Sequence, residues 1–333
     1  MQNKSQNQIL KKSRREFLAQ SSSLTILGLS TIGFFPNDAL AQGGSLKDSI
    51  AAKNYDPKAK FEIDIKELEF RKNANGRQLM ARIYQPKGSG PFPVLLDLHG
   101  GAWNRKNRTA EQPMNRSLAS SGILVVAIDM SLAGDMPYPA CFQDAHYGVR
   151  WLKFNAHRWQ GDPSTIGIYG SSSGGHAAEL IGMKPFDPVF SAIPFPENPN
   201  LDATVRYVAS RAPISDPFAR YQNAVARARP DMIKNHHIFF HPWEKIYEAN
   251  PQQILDRHEK VSLPPLLIMA GALDDNVLPA IQERFAKSYQ AAGGDCELKI
   301  FANSEHEWVA EESLQTDLAR LTVKNFIYKQ LHS

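Results

Sequence analysis

The sequence predicts an α/β sandwich: a mostly parallel sheet with helices packed on both faces. Three observations carry this. The runs Val94–Leu98, Ile123–Ile128 and Leu266–Ala270 are short and almost wholly apolar, as strands buried on both faces are. Between them lie amphipathic stretches of helical period. The alternation of the two element types calls for parallel pairing with crossover helices.

Taken in order, Phe61–Ile65 alternates apolar and polar residues, the period of a half-buried strand. It is expected to pair with Arg77–Gln85 across the turn Asn75-Gly76. Cys141–Asn155 and Pro279–Ala291 read as helices, the latter with Ile281, Phe285 and Tyr289 at every fourth position and Gly293-Gly294 as its stop. Ile166–Tyr169 and Glu297–Phe301 read as further strands, with one more near Ala203–Ala209, and Leu314–Leu331 as a closing helix. Pro185, Pro188, Pro194, Pro196 and Pro199 crowd one segment, where neither helix nor central strand can persist. Residues 214–250 carry many aromatics and histidines without strong strand character, so 184–200 and 214–250 are expected to be long loops serving as lid or pocket walls within one domain spanning 42–333.

Composition narrows the function. The chain has 333 residues, 42% of them hydrophobic and 22% charged, with 38 Lys+Arg against 34 Asp+Glu. Residues 1–41 hold Lys4, Lys11, Lys12, Arg14 and Arg15 against Glu16 and Asp38, so the remainder carries 33 basic and 32 acidic residues. A body so close to neutral gives nucleic acid no electrostatic footing. Two cysteines, Cys141 and Cys296, exclude a disulfide scaffold or a multi-cysteine zinc module and are expected to stay unlinked.

The first 41 residues read as a targeting segment. Lys11-Lys12-Ser13-Arg14-Arg15-Glu16-Phe17-Leu18 precedes an uncharged apolar run, Leu24 to Phe35, and then Ala39-Leu40-Ala41, a small-x-small cleavage pattern. The run is too short to span a bilayer core of ~30 Å. Ser-Arg-Arg-x-Phe-Leu resembles the bacterial twin-arginine signal. That resemblance implies handover to an export machinery, a periplasmic or secreted mature chain, and no stable membrane span after processing.

Two glycine-rich strings carry the chemistry. Gly170-Ser171-Ser172-Ser173-Gly174 lies between a predicted strand and a predicted helix. Glycines flanking a serine allow the sharp elbow that lifts the Ser172 hydroxyl out of the sheet and leaves the Ser173 N–H free at a helix N-terminus. His99-Gly100-Gly101-Ala102-Trp103 follows the strand Val94–Leu98, and its small residues let backbone N–H groups turn toward a common point.

With these two motifs, 74 residues apart from Gly100 to Gly174, the chain resembles the α/β-hydrolase superfamily, in the carboxylesterase branch related to hormone-sensitive lipase. The resemblance covers most of 60–333. It implies a mostly parallel eight-stranded sheet with helices on both faces and lid-like insertions. It also implies oxyanion donors at the N–H groups of Gly101, Ala102 and Ser173. Gly271-Ala272-Leu273-Asp274-Asp275-Asn276-Val277 resembles the family's acid loop, and Asn303-Ser304-Glu305-His306 occupies the place of its histidine. The order Ser172, Asp274, His306 is that of the superfamily. Ala102 stands where many relatives have a third glycine, and Asp129-Met130-Ser131-Leu132 replaces the usual Asp-Tyr-Arg-Leu, which marks a divergent member.

The expected activity is hydrolysis of a small-molecule carboxylic ester through an acyl-enzyme. Two alternatives stay open: an arylformamidase or amidase, which His-Gly-Gly-x-Trp also resembles, and a non-catalytic binding protein of the same fold. Trp103, Phe239, Phe240 and Trp243 are the candidate substrate contacts. Asp216 is a rival acid. No cofactor or metal is expected, since His236, His237 and His241 have no acidic residue spaced among them.

Overall fold

The computed structural model describes residues 49–333, so the segment 1–41 read as a signal lies outside the described residues. After a short helix α1 (Ile50–Asn54) come β1 (Ile63–Lys72), β2 (Gln78–Pro86), β3 (Phe92–Leu98), α2 (Gln112–Ser120), β4 (Leu124–Ile128), α3 (Ala140–Asn155), β5 (Gly161–Ser171), α4 (Ser173–Met183) and β6 (Val208–Arg211). Then follow α5 (Pro217–Ala226), α6 (Pro230–Phe239), α7 (Lys245–Glu248), α8 (Pro251–Asp256), β7 (Leu266–Gly271), α9 (Pro279–Ala291), β8 (Cys296–Phe301) and α10 (Leu314–His332). The eight strands form one sheet in the order β1-β2-β4-β3-β5-β6-β7-β8. The pairs β1–β2 and β2–β4 are antiparallel and the others parallel. This is the α/β-hydrolase fold expected from the sequence.

The central strands separate two cores by their alternation. In β3, Val94, Leu96 and Leu98 join Phe142, Val149, Leu180, Ile181 and Phe285 on the α3, α4 and α9 side. Leu95 points the other way, toward Met114, Leu118, Val323 and Ile327 of α2 and α10. Asp97 shares that second face, 1% exposed, and accepts from Asn115 Nδ2 at 2.6 Å. Burial, with Glu111 nearby, pushes this carboxyl well above its ordinary range.

Three expectations shift. The first strand runs from Ile63 to Lys72, because Leu68 and Phe70 restore alternating burial beyond the charged pair Lys66-Glu67, with the register shifting between Glu69 and Arg71. Strand β6 is four residues long and later than expected, Val208–Arg211. Residues 214–250, expected as loop, contain α5, α6 and α7. Pro217 and Pro230 occupy first-turn positions, where a missing N–H costs nothing, and Asp216 caps α5 by accepting from Ala219 N at 3.0 Å. Residues 184–200 hold turns only. Cys141 and Cys296 are free and buried. Among the described residues no helix is long and apolar enough to cross a membrane.

Candidate active site

The carboxyl ends of β3, β5, β7 and β8 converge on one edge of the sheet. Ser172 sits between β5 and α4 with φ 51° and ψ −114°, a strained backbone that the neighbouring chain holds in place. Its N–H donates to the Arg211 carbonyl at 2.8 Å, and its own carbonyl accepts from His176 N at 3.0 Å and Ile214 N at 3.2 Å. A Cβ on Gly174 would collide with the carbonyl of Leu98, so the elbow can lie this close to the end of β3 only with glycine there.

Ser172 is 8% exposed, and its hydroxyl lies 3.0 Å from His306 Nε2. His306 Nδ1 lies 2.8 Å from Asp274 Oδ2. The other oxygen of Asp274 accepts from the N–H groups of Asn276 and Val277, each at 2.9 Å, which fixes the carboxylate. The neighbouring Asp275 points outward to Arg227 and Arg229, whose side chains hold it below its ordinary range, Arg229 foremost. Asp216 accepts from Asn250 Nδ2 at 2.9 Å and pairs with Arg284, while the acid on His306 is Asp274.

Facing Ser172 is the loop after β3. Gly101, Ala102 and Trp103 all have positive φ, at 114°, 51° and 63°. This run turns the Gly101 and Ala102 N–H groups away from the protein's own carbonyls, and neither donates to another group among the described residues. The Ser173 N–H, at the first position of α4, has no intrahelical acceptor. Two anchors hold the loop. The backbone N–H of Met130 donates to His99 Nε2 at 3.3 Å, so His99 Nδ1–H donates to the Gly100 carbonyl at 2.8 Å. Asp129 accepts from Arg108 N and Arg108 Nη1, both at 3.0 Å.

Trp103 is packed from below. Its ring stacks on Phe239 at 4.6 Å and meets Phe240 edge-on at 5.4 Å. Its Nε1–H donates to His176 Nδ1 at 3.2 Å, while His176 Nε2–H donates to the Ala249 carbonyl at 2.6 Å. Phe239 and Phe240 are each 1% exposed, so in this conformation they support Trp103 and present no open face. Trp243 stands apart, against Tyr221 and His237. Nor do the three nearby histidines form a metal site: His236 is buried beside Arg220, and among the described residues no cluster of metal-binding side chains occurs.

Sequence reasoning missed a buried ion pair beneath the site. Glu111 Oε1 accepts from Ser171 Oγ at 2.7 Å and Arg211 Nη2 at 2.9 Å, and Arg211 Nη1 donates to the His306 carbonyl at 2.7 Å. Burial pushes Glu111 up, but Arg211 and Ser171 together offset this and hold it below its ordinary range. A charged residue closing a buried strand, as Arg211 closes β6, is the one signal that could have flagged it.

The fold is that of an α/β-hydrolase, with Ser172 at the sharp turn between β5 and α4. The BD-FAE family model matches residues 82–288, more than half of the chain, and the chain belongs to that family. Among curated proteins it is similar to a probable carboxylic ester hydrolase, LipM, of Mycobacterium tuberculosis, with 28% identity over 201 residues, 59% of this chain and 44% of LipM. It is similar to the carboxylesterase NlhH of the same organism, with 36% identity over 104 residues, 31% of this chain and 33% of NlhH. The chain thus spans less than half the length of either relative. Among solved structures, the metagenomic thermophilic carboxylesterase EstE1 superposes with a TM-score of 0.67 at 21% identity, covering 82% of this chain and 91% of EstE1. A propionate-bound esterase of Thermogutta terrifontis gives 0.63 at 20% identity, covering 81% and 94%. At these identities the likeness shows the fold.

Proposed function

We propose that this protein is a serine carboxylesterase, related to the hormone-sensitive-lipase branch, that acts on a small-molecule ester after export. The observation that carries the reading is the hydrogen-bonded chain Ser172–His306–Asp274, at 3.0 and 2.8 Å, beside N–H groups with no acceptor among the described residues.

In this reading Ser172 Oγ attacks the ester carbonyl carbon as its proton passes to His306 Nε2. Asp274 holds the Nδ1–H tautomer and stabilises the imidazolium. The oxyanion is received by the N–H groups of Gly101, Ala102 and Ser173, donors fixed before substrate arrives. Collapse expels the alcohol, which takes the proton from His306 and leaves an acyl-Ser172. Water then attacks the acyl carbon, giving a proton to His306, and the acid leaves as Ser172 regains its hydrogen. Trp103, braced by Phe239 and Phe240, is the proposed wall of the substrate pocket.

The experiment is labelling with a fluorophosphonate probe, followed by turnover of p-nitrophenyl esters and of an N-formyl aniline. Labelling lost in Ser172→Ala, together with ester turnover exceeding formamide turnover, supports the reading. Formamide preference makes the protein an amidase, and no labelling of the native chain makes it a binding protein.

A further inference from the structure

Arg220, in α5, is 2% exposed, yet it is in ion-pair contact with no carboxylate among the described residues. Its Nε donates to Asn276 Oδ1 at 2.9 Å. Its Nη1 lies 3.3 Å from His236 Nε2, which can only accept, because His236 Nδ1–H is given to the Met232 carbonyl at 2.7 Å. The third nitrogen, Nη2, meets no acceptor among the described residues, and it is not one of the polar atoms sealed from solvent without a partner.

The position is as telling as the missing partner. The guanidinium lies over the Trp103 ring, 5.6 Å from its centroid, and Trp103 directly follows the proposed donors Gly101 and Ala102. Asn276 belongs to the turn whose N–H groups fix Asp274. Arg220 therefore joins the oxyanion loop to the acid loop from the side of the α5–α6 hairpin. Burial lowers it to about 10, with Asp274 opposing and Arg105 reinforcing the shift, so it stays cationic at neutral pH. Asp274 is already committed to His306 and two backbone N–H groups. Arg105 is exposed and adds to the positive potential rather than cancelling it. Arg220 therefore feels the field of Asp274 but makes no ion-pair contact of its own among the described residues, whereas buried cations are ordinarily paired directly.

We propose that Arg220 is a specificity-determining residue whose free Nη2 takes a carboxylate carried by the substrate close to its scissile ester. The proposal deepens the esterase reading and rests on it. The carboxylate can belong to the acyl half, as in a dicarboxylic hemi-ester, or to the alcohol half.

The test uses two matched pairs of esters: mono-p-nitrophenyl glutarate against the corresponding glutaramate ester, and 4-carboxyphenyl butyrate against 4-carbamoylphenyl butyrate. A charge-assisted hydrogen bond predicts that kcat/KM favours the carboxylate member of one pair by about 10- to 100-fold. That ratio should collapse in Arg220→Met, which keeps the bulk, and survive in part in Arg220→Lys. A ratio near one in both pairs overturns the proposal, as does a preference that Arg220→Met leaves intact. Should Arg220→Met fail to fold, calorimetry on Ser172→Ala with the same pairs decides. Binding of one carboxylate member about 10-fold or more above its amide supports the proposal, and equal binding overturns it. If the native chain hydrolyses no ester, the esterase reading fails, while the binding measurement still decides on Arg220.

Discussion

Arg211 reaches the backbone of His306, its Nη1 donating to that carbonyl at 2.7 Å, while its Nη2 is held by Glu111 at 2.9 Å. The loop carrying the proposed general base is thus tied to the end of β6 through a guanidinium that spans two partners. Lysine, with one nitrogen, cannot reproduce this.

Removing one member of the pair should therefore be felt twice. Arg211→Met leaves Glu111 buried without its cation, which should cost about 3–5 kcal/mol of stability. It also frees the His306 backbone, so kcat should fall. Urea unfolding and steady-state kinetics measure the two effects. Unchanged values of both would show that the pair does not hold the loop.

Ser172→Ala should lower kcat by on the order of 10⁴-fold or more, with little change in melting temperature. Among the described residues its hydroxyl bonds to His306 and to no other group. Ser171→Ala should behave oppositely, costing stability through loss of the bond to Glu111 while keeping most of the nucleophile's reactivity.

The two adjacent aspartates should separate cleanly. Asp274→Asn should reduce kcat by about 10⁴-fold, because an amide stabilises the wrong imidazole tautomer. Asp275→Asn removes a surface pair with Arg227 and Arg229 and should change kcat by less than about threefold. The reverse ranking would put the acid one residue later.

Acid should unfold the protein partly through buried histidines. Burial lowers His146 from 6.5 to about 4, and His176 and His236 to about 3. Their folded values lie below the unfolded one, so unfolding takes up protons, and the stability they contribute is complete above about pH 6.5 and lost as pH falls to about 4 for His146 and about 3 for the other two. The buried carboxyls Asp97 and Glu179 are raised and work with the opposite sign. A comparison of native chain and variant isolates one group. His146→Gln should flatten the pH-dependence of the unfolding free energy between pH 6.5 and 4 by up to about 1.4 kcal/mol per pH unit. An identical slope would mean that His146 takes up its proton equally in the folded and unfolded states.

Export rests on residues 1–41 alone. Replacing Arg14 and Arg15 by lysine should leave precursor in the cytoplasm, and the processed chain should begin near Gln42. Cell fractionation and N-terminal sequencing read both outcomes, and unchanged export would rule out the twin-arginine route.

The sheet was legible because its central strands are buried on both faces and their composition says so: Val94–Leu98 could be little else. Ser172, Asp274 and His306 could be singled out because the glycines and loop positions around them announce sharp turns at strand ends. Glu111, Arg211 and Arg220 carried no such mark. Glu111 and Arg211 are distant in sequence and meet only after the sheet is assembled, and a buried guanidinium looks in sequence like any exposed one. The α5–α6 hairpin was hidden for a different reason. Its prolines were silent about helix because proline at a first turn and proline in a loop are the same letter.

The left-handed run at Gly101, Ala102 and Trp103 has a consequence for how this loop can vary. Left-handed backbone costs a residue bearing a Cβ roughly 1–2 kcal/mol, and glycine escapes the penalty. Ala102 and Trp103 therefore hold the loop like a bent spring, and the stacked indole is its catch. In a saturation library the two sites should diverge. Glycine at 102 relaxes the spring and leaves the catch engaged. Glycine at 103 relaxes it too, but strips away the ring that rests on Phe239 at 4.6 Å, so the loop is released instead of relieved.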